Sequence, residues 1–363
     1  MKKKFTILAV LGIAILWGGL SLLAWALPAR ESSDSERRLL AQFPEISAEK
    51  IFSGAFAKDF EEYTLDQFPG RDAFRSVKAL FHRYILGNRD NNGIYIAQDS
   101  AAELEEKLDT GSVNHALKQF GLVYEQYLKD TQCKIYTATV PDKGYYLAAE
   151  NGYPAMDYSA LFDMLEEGMP WAQTIDLTGQ LSIEDYYRTD LHWKQENILP
   201  VAQHIGDSLG VSVGTWLTQT ALERPFYGVY YGQAALPMEP DTMCLMESDL
   251  IRSCRVYNYT TDSYTAIYDM DKLTGKDMYD IYLSGPQSLL RIENPYCATD
   301  RELVIFRDSF GSSLAPLLLQ DYAAITLVDL RYIQPQVLER YLEFDWQDVL
   351  FLHSTLVLNK NLI

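Results

Sequence analysis

Residues 302–316 of the chain are ELVIFRDSFGSSLAP. The apolar, partly β-branched run at 303–306 is typical of a buried strand. The polar residues 307–311 end in glycine, which indicates a tight turn, and helical spacing of apolar residues resumes at Leu314. A strand, a sharp turn and a helix in this order lift the side chain at the turn out of the sheet. We therefore predict that Ser309 presents its hydroxyl to a ligand at the start of a helix.

Outward from this stretch, strand and helix patterns alternate, which predicts a mostly parallel sheet covered by helices on both faces. Residues 226–292 interrupt this alternation with short strand-like pieces. We predict a three-layer α/β domain made of residues 31–221 and 297–363, with a β-rich insertion at 222–296. The predicted strands lie at 94–96, 134–140, 171–177, 226–231, 263–268, 279–283, 303–306, 325–328 and 349–352. The predicted helices lie within 49–86 and at 113–128, 161–169, 195–209, 314–319 and 334–341.

The N-terminal residues 1–30 form a membrane anchor or a signal segment. Three lysines at 2–4 precede an uncharged apolar stretch at 5–27, which is long enough to span a bilayer. Positive charge before such a stretch predicts a cytoplasmic N-terminus and an exported body. Residues 24–26, AWA, resemble a cleavage site, so a cleaved signal peptide is the alternative. We favour the uncleaved anchor, and in either case we expect the folded part to be extracytoplasmic.

The composition excludes some partners and permits others. The formal net charge of −19 argues against nucleic acid, because phosphate contacts need lysine and arginine. The 25 tyrosines and 6 tryptophans suit stacking on sugars, although aromatic side chains more often fill cores. The four cysteines lack metal-site spacing, and we expect no metal and no organic cofactor. Cys244 and Cys254 form a disulfide in one interpretation and are free thiols in the other.

Several chemically reactive side chains follow predicted strands. Lys143 follows the strand at 134–140, Ser309 follows 303–306, and Asp329 and Arg331 follow 325–328. Ligands of open α/β sheets bind beyond the carboxyl ends of the strands, so these groups are expected to share one edge of the sheet. Lys143 and Arg331 are predicted to bind substrate. A structural ion pair at a strand end is the alternative for each of them, with Asp329 as the neighbour of Arg331.

Ser309 needs a base, because a free hydroxyl is a poor nucleophile at neutral pH. His192 lies two residues after Asp190 in a predicted loop. In that arrangement the carboxylate accepts a hydrogen bond from one ring nitrogen and leaves the other nitrogen for the hydroxyl. We predict Ser309 as nucleophile, His192 as base and Asp190 as the group that orients it. His353, after the strand at 349–352, is the rival base.

These residues carry a resemblance to a known family. Residues 189–193, TDLHW, followed by residues 306–311, FRDSFG, resemble the DHHW family. The chain is similar to the AlgJ- and AlgX-type alginate O-acetylation proteins, which are SGNH-hydrolase-like. The resemblance covers most of residues 60–350 and includes blocks at 68–72, 140–143 and 328–332. It implies an SGNH-like fold, and it implies the same catalytic roles for Ser309, His192 and Asp190.

The chain departs from that family's pattern at three positions. Leu191 replaces the second residue of the D-H-H-W pattern, and this change leaves the Asp-x-His spacing intact. Arg307 stands where GDSL esterases carry glycine, and no asparagine follows Gly311. The usual oxyanion-hole donors are therefore missing, and the main-chain N–H of Ser309 is the expected donor.

We predict an extracytoplasmic Ser-His-Asp acyl-ester enzyme, an O-acetyltransferase or an acetylesterase, that acts on a cell-surface or secreted polysaccharide. If it transfers acetyl groups, the resemblance implies a separate membrane-bound protein that brings the acyl donor across. The alternative is a non-catalytic cell-wall or polysaccharide-binding protein on the same scaffold. A peptidase would use the same triad, but no predicted peptide groove supports one.

Overall fold

The structure is a computed structural model that describes residues 2–33, 35–214, 216–275 and 277–363. The chain divides into two compact units, Met1–Asn92 with Tyr231–Pro237, and Gly93–Tyr230 with Met238–Ile363. The strands are β1 Ser32–Ser33, β2 Arg38–Leu39, β3 Asp90–Asn91, β4 Ile94–Ala97, β5 Ser100–Glu103, β6 Lys134–Val140, β7 Gln173–Ile175, β8 Thr218–Ala221, β9 Cys244–Glu247, β10 Arg255–Asn258, β11 Ser263–Thr265, β12 Leu289–Glu293, β13 Glu302–Arg307, β14 Ala324–Val328 and β15 Asp348–Ser354. The α-helices are α1 Lys2–Ala26, α2 Ala48–Ser53, α3 Ala55–Asp66, α4 Arg71–Tyr84, α5 Thr110–Val123, α6 Lys143–Leu147, α7 Tyr158–Gly168, α8 Leu199–Leu209, α9 Val229–Ala234, α10 Asp249–Ser253, α11 Phe310–Leu314 and α12 Thr355–Asn359. A π-helical turn spans Tyr124–Leu128, and 3₁₀ helices span Ile183–Asp185, Met270–Thr274, Met278–Ile281, Ala315–Asp321 and Pro335–Arg340.

The first unit contains the strongly apolar helix α1 and the shorter helices α2, α3 and α4. Within α1, the span Thr6–Ala26 contains an 18-residue window with a mean hydropathy of 2.4, so by length and composition this helix is able to cross a membrane. A signal sequence near an N-terminus has the same properties. The predicted helical region at 49–86 is present as α2, α3 and α4. Gly54, with φ of 80°, ends α2, and Gly70, with φ of 69°, precedes α4, because glycine adopts this left-handed conformation without a steric penalty.

The second unit is organised around an eight-stranded sheet in the order β11-β10-β12-β14-β13-β15-β6-β7. The strands β14, β13, β15, β6 and β7 pair in parallel, and β12, β10 and β11 extend one edge by antiparallel pairing. The predicted strand at 303–306 is β13, which lies inside the sheet between β14 and β15. The prediction of an α/β fold with a mostly parallel sheet is confirmed.

Each face of the sheet carries its own hydrophobic core. In β13, Leu303 and Ile305 pack with residues of α8 and α11, whereas Val304 and Phe306 pack with residues of α5 and α7. Successive side chains of a strand point to opposite faces, so a continuous apolar run fits a strand that is buried on both sides. The result is a helix layer on each side of the sheet, as the three-layer prediction requires.

The segment at 222–296 differs in detail from its prediction. Its strands β10, β11 and β12 extend the large sheet, so they belong to the same layer as β13. The predicted strand at 226–231 is wrong, because α9 begins at Val229 and only Phe226 forms a bridge. The predicted strand at 279–283 is wrong, because the 3₁₀ helix Met278–Ile281 occupies most of it. The amide of Tyr279 donates to the capping carboxylate of Asp277. The domain boundaries at 221 and 296 stay predictions.

Candidate active site

The structure brings together the three side chains that the sequence pointed to. Ser309 Oγ lies 2.7 Å from His192 Nε2, although the two residues are 117 positions apart. On the other side of the ring, His192 Nδ1 lies 2.6 Å from Asp190 Oδ1. Because an ionised carboxylate only accepts, the ring donates from Nδ1 and accepts the serine proton at Nε2. This is the arrangement that allows an imidazole to take a proton from a hydroxyl.

The turn after β13 frees the hydroxyl of Ser309 for this contact. Ser309 occupies the N-cap position of α11 with φ of −61°, and its side chain makes no capping hydrogen bond. The buried carboxylate of Asp308 holds the turn, since it accepts from the amide of Phe310 at 3.0 Å and from that of Ser354 at 2.7 Å. Asp308 is therefore a turn residue, as expected, and Ser309 is half-buried at the strand end.

The loop that carries the base is fixed by contacts to its carboxylate and its ring. Asp190 is fully buried, and it accepts from the amide of His192 at 3.0 Å and from the amide of Val229 at 2.9 Å. The ring of Tyr279 stacks on the His192 ring with 3.7 Å between centroids and an interplanar angle of 6°. Hydrogen bonds thus hold the carboxylate, and the tyrosine holds the imidazole plane.

The ammonium group of Lys143 contacts the backbone of the same loop. Its ammonium donates to the carbonyl oxygens of Tyr187 at 2.7 Å, Arg188 at 3.1 Å and Asp190 at 3.1 Å. An ammonium has three donors, so all of them are used on the loop, and the side chain is only 2% exposed. This geometry fixes the backbone of the loop at 187–193, and a substrate contact by Lys143 stays a prediction. Burial lowers the pKa of Lys143 to about 7.

A second buried group, Asp241, holds the start of the loop. Its carboxylate accepts from the amides of Arg188 at 2.9 Å and Thr189 at 2.8 Å, and from the Thr189 hydroxyl at 2.6 Å. The amide of Gly228 donates in turn to the Thr189 hydroxyl at 2.9 Å. A Cβ atom on Gly228 would lie 2.2 Å from Asp190 Cβ, so only glycine fits there.

We expect Gly228→Ala to destabilise the fold by about 2–3 kcal/mol, because the added methyl group overlaps Asp190 and the carbonyl oxygen of Thr189. Urea denaturation followed by circular dichroism measures this change. The control is Gly121→Ala in α5, where no atom outside its own helix backbone lies within 4 Å of the place that a Cβ would take. It is expected to raise stability by about 0.5–1 kcal/mol, since alanine is the better helix former. Equal effects of the two substitutions would contradict the close approach at Gly228.

Arg331 matches the ion-pair alternative. Its guanidinium donates to both carboxylate oxygens of Asp329, at 2.8 Å from Nε and 2.6 Å from Nη2. Arg307, 1% exposed, lies behind this pair with Nη1 at 3.7 Å from Asp329. Its Nε and Nη2 have no hydrogen-bond partner among the described residues, and burial lowers the pKa of its guanidinium. A substrate contact by Arg331 stays a prediction.

The rival base His353 is a core residue. It lies within β15, is 4% exposed, and its ring is 4.8 Å from that of Phe120. Burial lowers its pKa to about 4, so it is neutral at physiological pH. The imidazole that is hydrogen-bonded to Ser309 is that of His192, and among the described residues no hydrogen bond is found between His353 and Ser309.

Sequence reasoning did not assign three residues that support the site. These are Gly228, Asp241 and Tyr279, all within the segment that was predicted as an insertion. No spacing pattern singles them out, because each acts through a contact with the loop at 187–193. Cys244 and Cys254 are both free thiols, and within the described ranges no group of three metal-ligating side chains is found.

Comparisons with known proteins place the fold. No family model and no curated protein matches the chain. Among solved structures, the chain is similar to a DHHW family protein from Eubacterium siraeum, with a TM-score of 0.59 and 19% identity over 74% of this chain and 93% of that one. At this identity the likeness shows the fold, and the predicted resemblance to the DHHW family and the predicted α/β fold class are confirmed at that level.

The chain is also similar in fold to Bacillus cereus PatB1. Its structure with a sulfonyl adduct has a TM-score of 0.56 and 16% identity, and covers 74% of this chain and 97% of that chain. A second structure of the same protein gives a TM-score of 0.54 at 16% identity, over 74% and 98% of the two chains.

Proposed function

We propose that the chain is an extracytoplasmic serine acyl-ester enzyme, an O-acetyltransferase or acetylesterase, that acts on a polysaccharide. The observation that carries the proposal is the 2.7 Å contact between Ser309 Oγ and His192 Nε2, with the buried Asp190 carboxylate behind the ring. A hydroxyl that is hydrogen-bonded to a neutral, oriented imidazole can be deprotonated as it attacks a carbonyl carbon.

In the first half-reaction, Ser309 Oγ attacks the acetyl carbonyl carbon while its proton moves to His192 Nε2. Asp190 stabilises the imidazolium that forms, and the main-chain N–H of Ser309 donates to the oxyanion. No other hydrogen bond is found for that N–H among the described residues. The tetrahedral intermediate collapses, the C–O bond to the leaving group breaks, and His192 protonates the leaving oxygen.

In the second half-reaction, His192 takes a proton from water or from a sugar hydroxyl, whose oxygen attacks the acetyl-serine. Collapse of this intermediate returns the proton to Ser309 and releases acetate in the first case or an acetylated sugar in the second. The transfer reaction requires an acyl donor outside the cytoplasm. A membrane-bound donor protein would supply it, and α1 would keep the chain at the same membrane.

The second candidate is a non-catalytic polysaccharide-binding protein on this fold. The observation that favours it is Arg307, which is buried at the position where GDSL esterases carry glycine. An enzyme without the usual oxyanion donors would depend on the Ser309 amide alone, and losing one donor typically lowers kcat by about 10²–10³.

Covalent labelling separates the two candidates. Because PatB1 has been solved with a sulfonyl adduct, we expect phenylmethylsulfonyl fluoride to modify the full-length protein once, on the peptide containing Ser309, in parallel with loss of 4-nitrophenyl acetate hydrolysis. Intact-mass and peptide mass spectrometry measure the adduct. Ser309→Ala should remain unmodified, whereas Ser312→Ala, which removes a buried neighbouring hydroxyl, should be labelled like the wild type. Wild-type protein that shows neither label nor turnover would favour the binding protein.

A further inference from the structure

A cavity of about 450 Å³ lies at the β7 edge of the large sheet. Strand residues Thr137, Thr139 and Thr174 line one side of it, and Phe162 and Glu166 of α7 line the other. The helix therefore does not close on the sheet at this edge. The size suffices for a small ligand, since such sites typically measure about 300–1,000 Å³.

Thr137 occupies a position that is apolar on the neighbouring strand, whereas Thr139 lies in register with His353 and Thr174 is exposed on the edge strand β7. Thr137 lies in register with Phe351 of β15 on one side and with Thr174 of β7 on the other. Phe351 belongs to the hydrophobic core of this face, and so does Ile135, two residues before Thr137 on the same strand. Polar residues at core-facing positions that do not serve packing indicate a functional site.

The hydroxyl groups of these threonines are available to a ligand. Within the described residues no hydrogen bond is found for the hydroxyls of Thr137, Thr139 or Thr174, and Thr137 is only 7% exposed. Thr137 is buried, Thr139 is half-buried and Thr174 is exposed, so a polar ligand in the cavity can hydrogen-bond to all three hydroxyls in place of solvent. Each hydroxyl both donates and accepts, as does a sugar hydroxyl.

The remaining lining residues define the class of ligand. Tyr145 and Phe162 contribute aromatic rings, with 6.1 Å between their centroids, and such rings stack on the apolar faces of sugars. Glu166 and Asp176 are the charged lining residues within the described chain, and both are acidic. Acidic groups disfavour a uronate or a phosphate-bearing polymer. We propose that this cavity binds sugar rings that carry no acidic group.

The cavity reaches the carboxyl ends of the strands, which is the side of the sheet where Ser309 lies. Asp176 and Thr178 follow β7 at its carboxyl end, as Ser309 follows β13. Three strand spacings of about 4.8 Å separate β13 from β7, or about 14 Å in all. The inference rests on the proposed function in one respect: a subsite at this distance would hold a remote ring of the polymer whose ester reacts at Ser309.

Binding is tested with full-length protein in detergent by isothermal titration calorimetry and methyl-threonine NMR. The probes are hexamers of glucose, mannose and N-acetylglucosamine, with an alginate hexamer as the acidic contrast. We expect at least one uncharged hexamer to bind and to shift the signals of Thr137 and Thr139. The double variant Thr139→Val/Thr174→Val should lose about tenfold in affinity, because two hydrogen bonds disappear while side-chain shape is kept.

Thr218→Val, on the exposed strand β8 outside the cavity, is the matched control and should bind like the wild type. No binding by any uncharged hexamer, tighter binding of the alginate hexamer, or equal affinity in the double variant would each overturn the proposal. Titrating Ser309→Ala in parallel separates the two claims. If the hexamers bind to both proteins but the wild type shows no sulfonyl labelling, the acyl-transfer function is refuted and the saccharide site is kept.

Discussion

Ser309→Ala is expected to lower kcat/KM for 4-nitrophenyl acetate by at least about 10⁴-fold, to the level of the uncatalysed reaction plus residual binding effects. Among the described residues of the site, this hydroxyl is the group placed to form the acyl-enzyme, with His192 Nε2 at 2.7 Å from its oxygen. The turn after β13 fixes the position of the hydroxyl. Initial rates, corrected for buffer hydrolysis, measure the loss.

The fold should be unaffected by this substitution, which makes the kinetic result interpretable. The side-chain oxygen of Ser309 bonds to His192 and does not cap α11. Thermal unfolding of Ser309→Ala should therefore occur within a few degrees of the wild-type temperature. Residual turnover above one-hundredth of the wild-type rate, in a variant that is normally folded, would show that another residue is the nucleophile.

Asp190→Asn is expected to lower kcat by about 10⁴-fold with little change in KM, as in other serine triads. The physical reason is that the side-chain amide of asparagine cannot accept all the hydrogen bonds that the Asp190 carboxylate accepts. Asp190 accepts from His192 Nδ1 and the His192 amide through one oxygen and from the Val229 amide through the other. An asparagine has one accepting oxygen and one donating NH₂, so one of these donors must face another donor.

Either orientation of the asparagine damages the site. If its NH₂ faces the ring, Nδ1 becomes an acceptor, Nε2 carries the proton, and the Ser309 hydroxyl loses its base. If its NH₂ faces Val229, a buried amide loses its acceptor, which typically costs about 1–3 kcal/mol. The control is Asp109→Asn, because Asp109 caps α5 and asparagine caps helices equally well. A kcat for Asp190→Asn within tenfold of the wild-type value would contradict the orienting role.

The sequence predicted the core of the sheet because those strands are defined locally. The runs at 134–140, 303–306, 325–328 and 349–352 are apolar and short, and they form β6, β13, β14 and β15. Such runs indicate strands that are buried on both faces. Asp-x-His and the strand-turn serine also depend on residues that are neighbours in sequence, so their positions could be recognised before the contact between them was known.

The antiparallel edge and the support of the site could not be predicted in this way. The tyrosine-rich segment at 278–283 has strand propensity, but Tyr279 stacks on His192 and Asp277 caps a helical turn. Tertiary contacts outweigh propensity there. Gly228 is likewise defined only by the approach of a loop about 40 residues away in sequence. Such requirements appear in three dimensions and leave no periodic signal.

The three hydrogen bonds from Lys143 to the loop at 187–193 have a consequence for protein engineering. The loop that carries Asp190 and His192 depends on the amine of Lys143, the first residue of α6, which lies 44 to 47 positions before the carbonyl groups that it contacts. A transplant of residues 187–193 onto another scaffold would therefore carry the reactive groups without the side chain that sets their backbone. A successful graft must include Lys143 at the start of α6, and it must work at a pH that keeps this amine protonated, since a neutral amine has two hydrogens for three carbonyls.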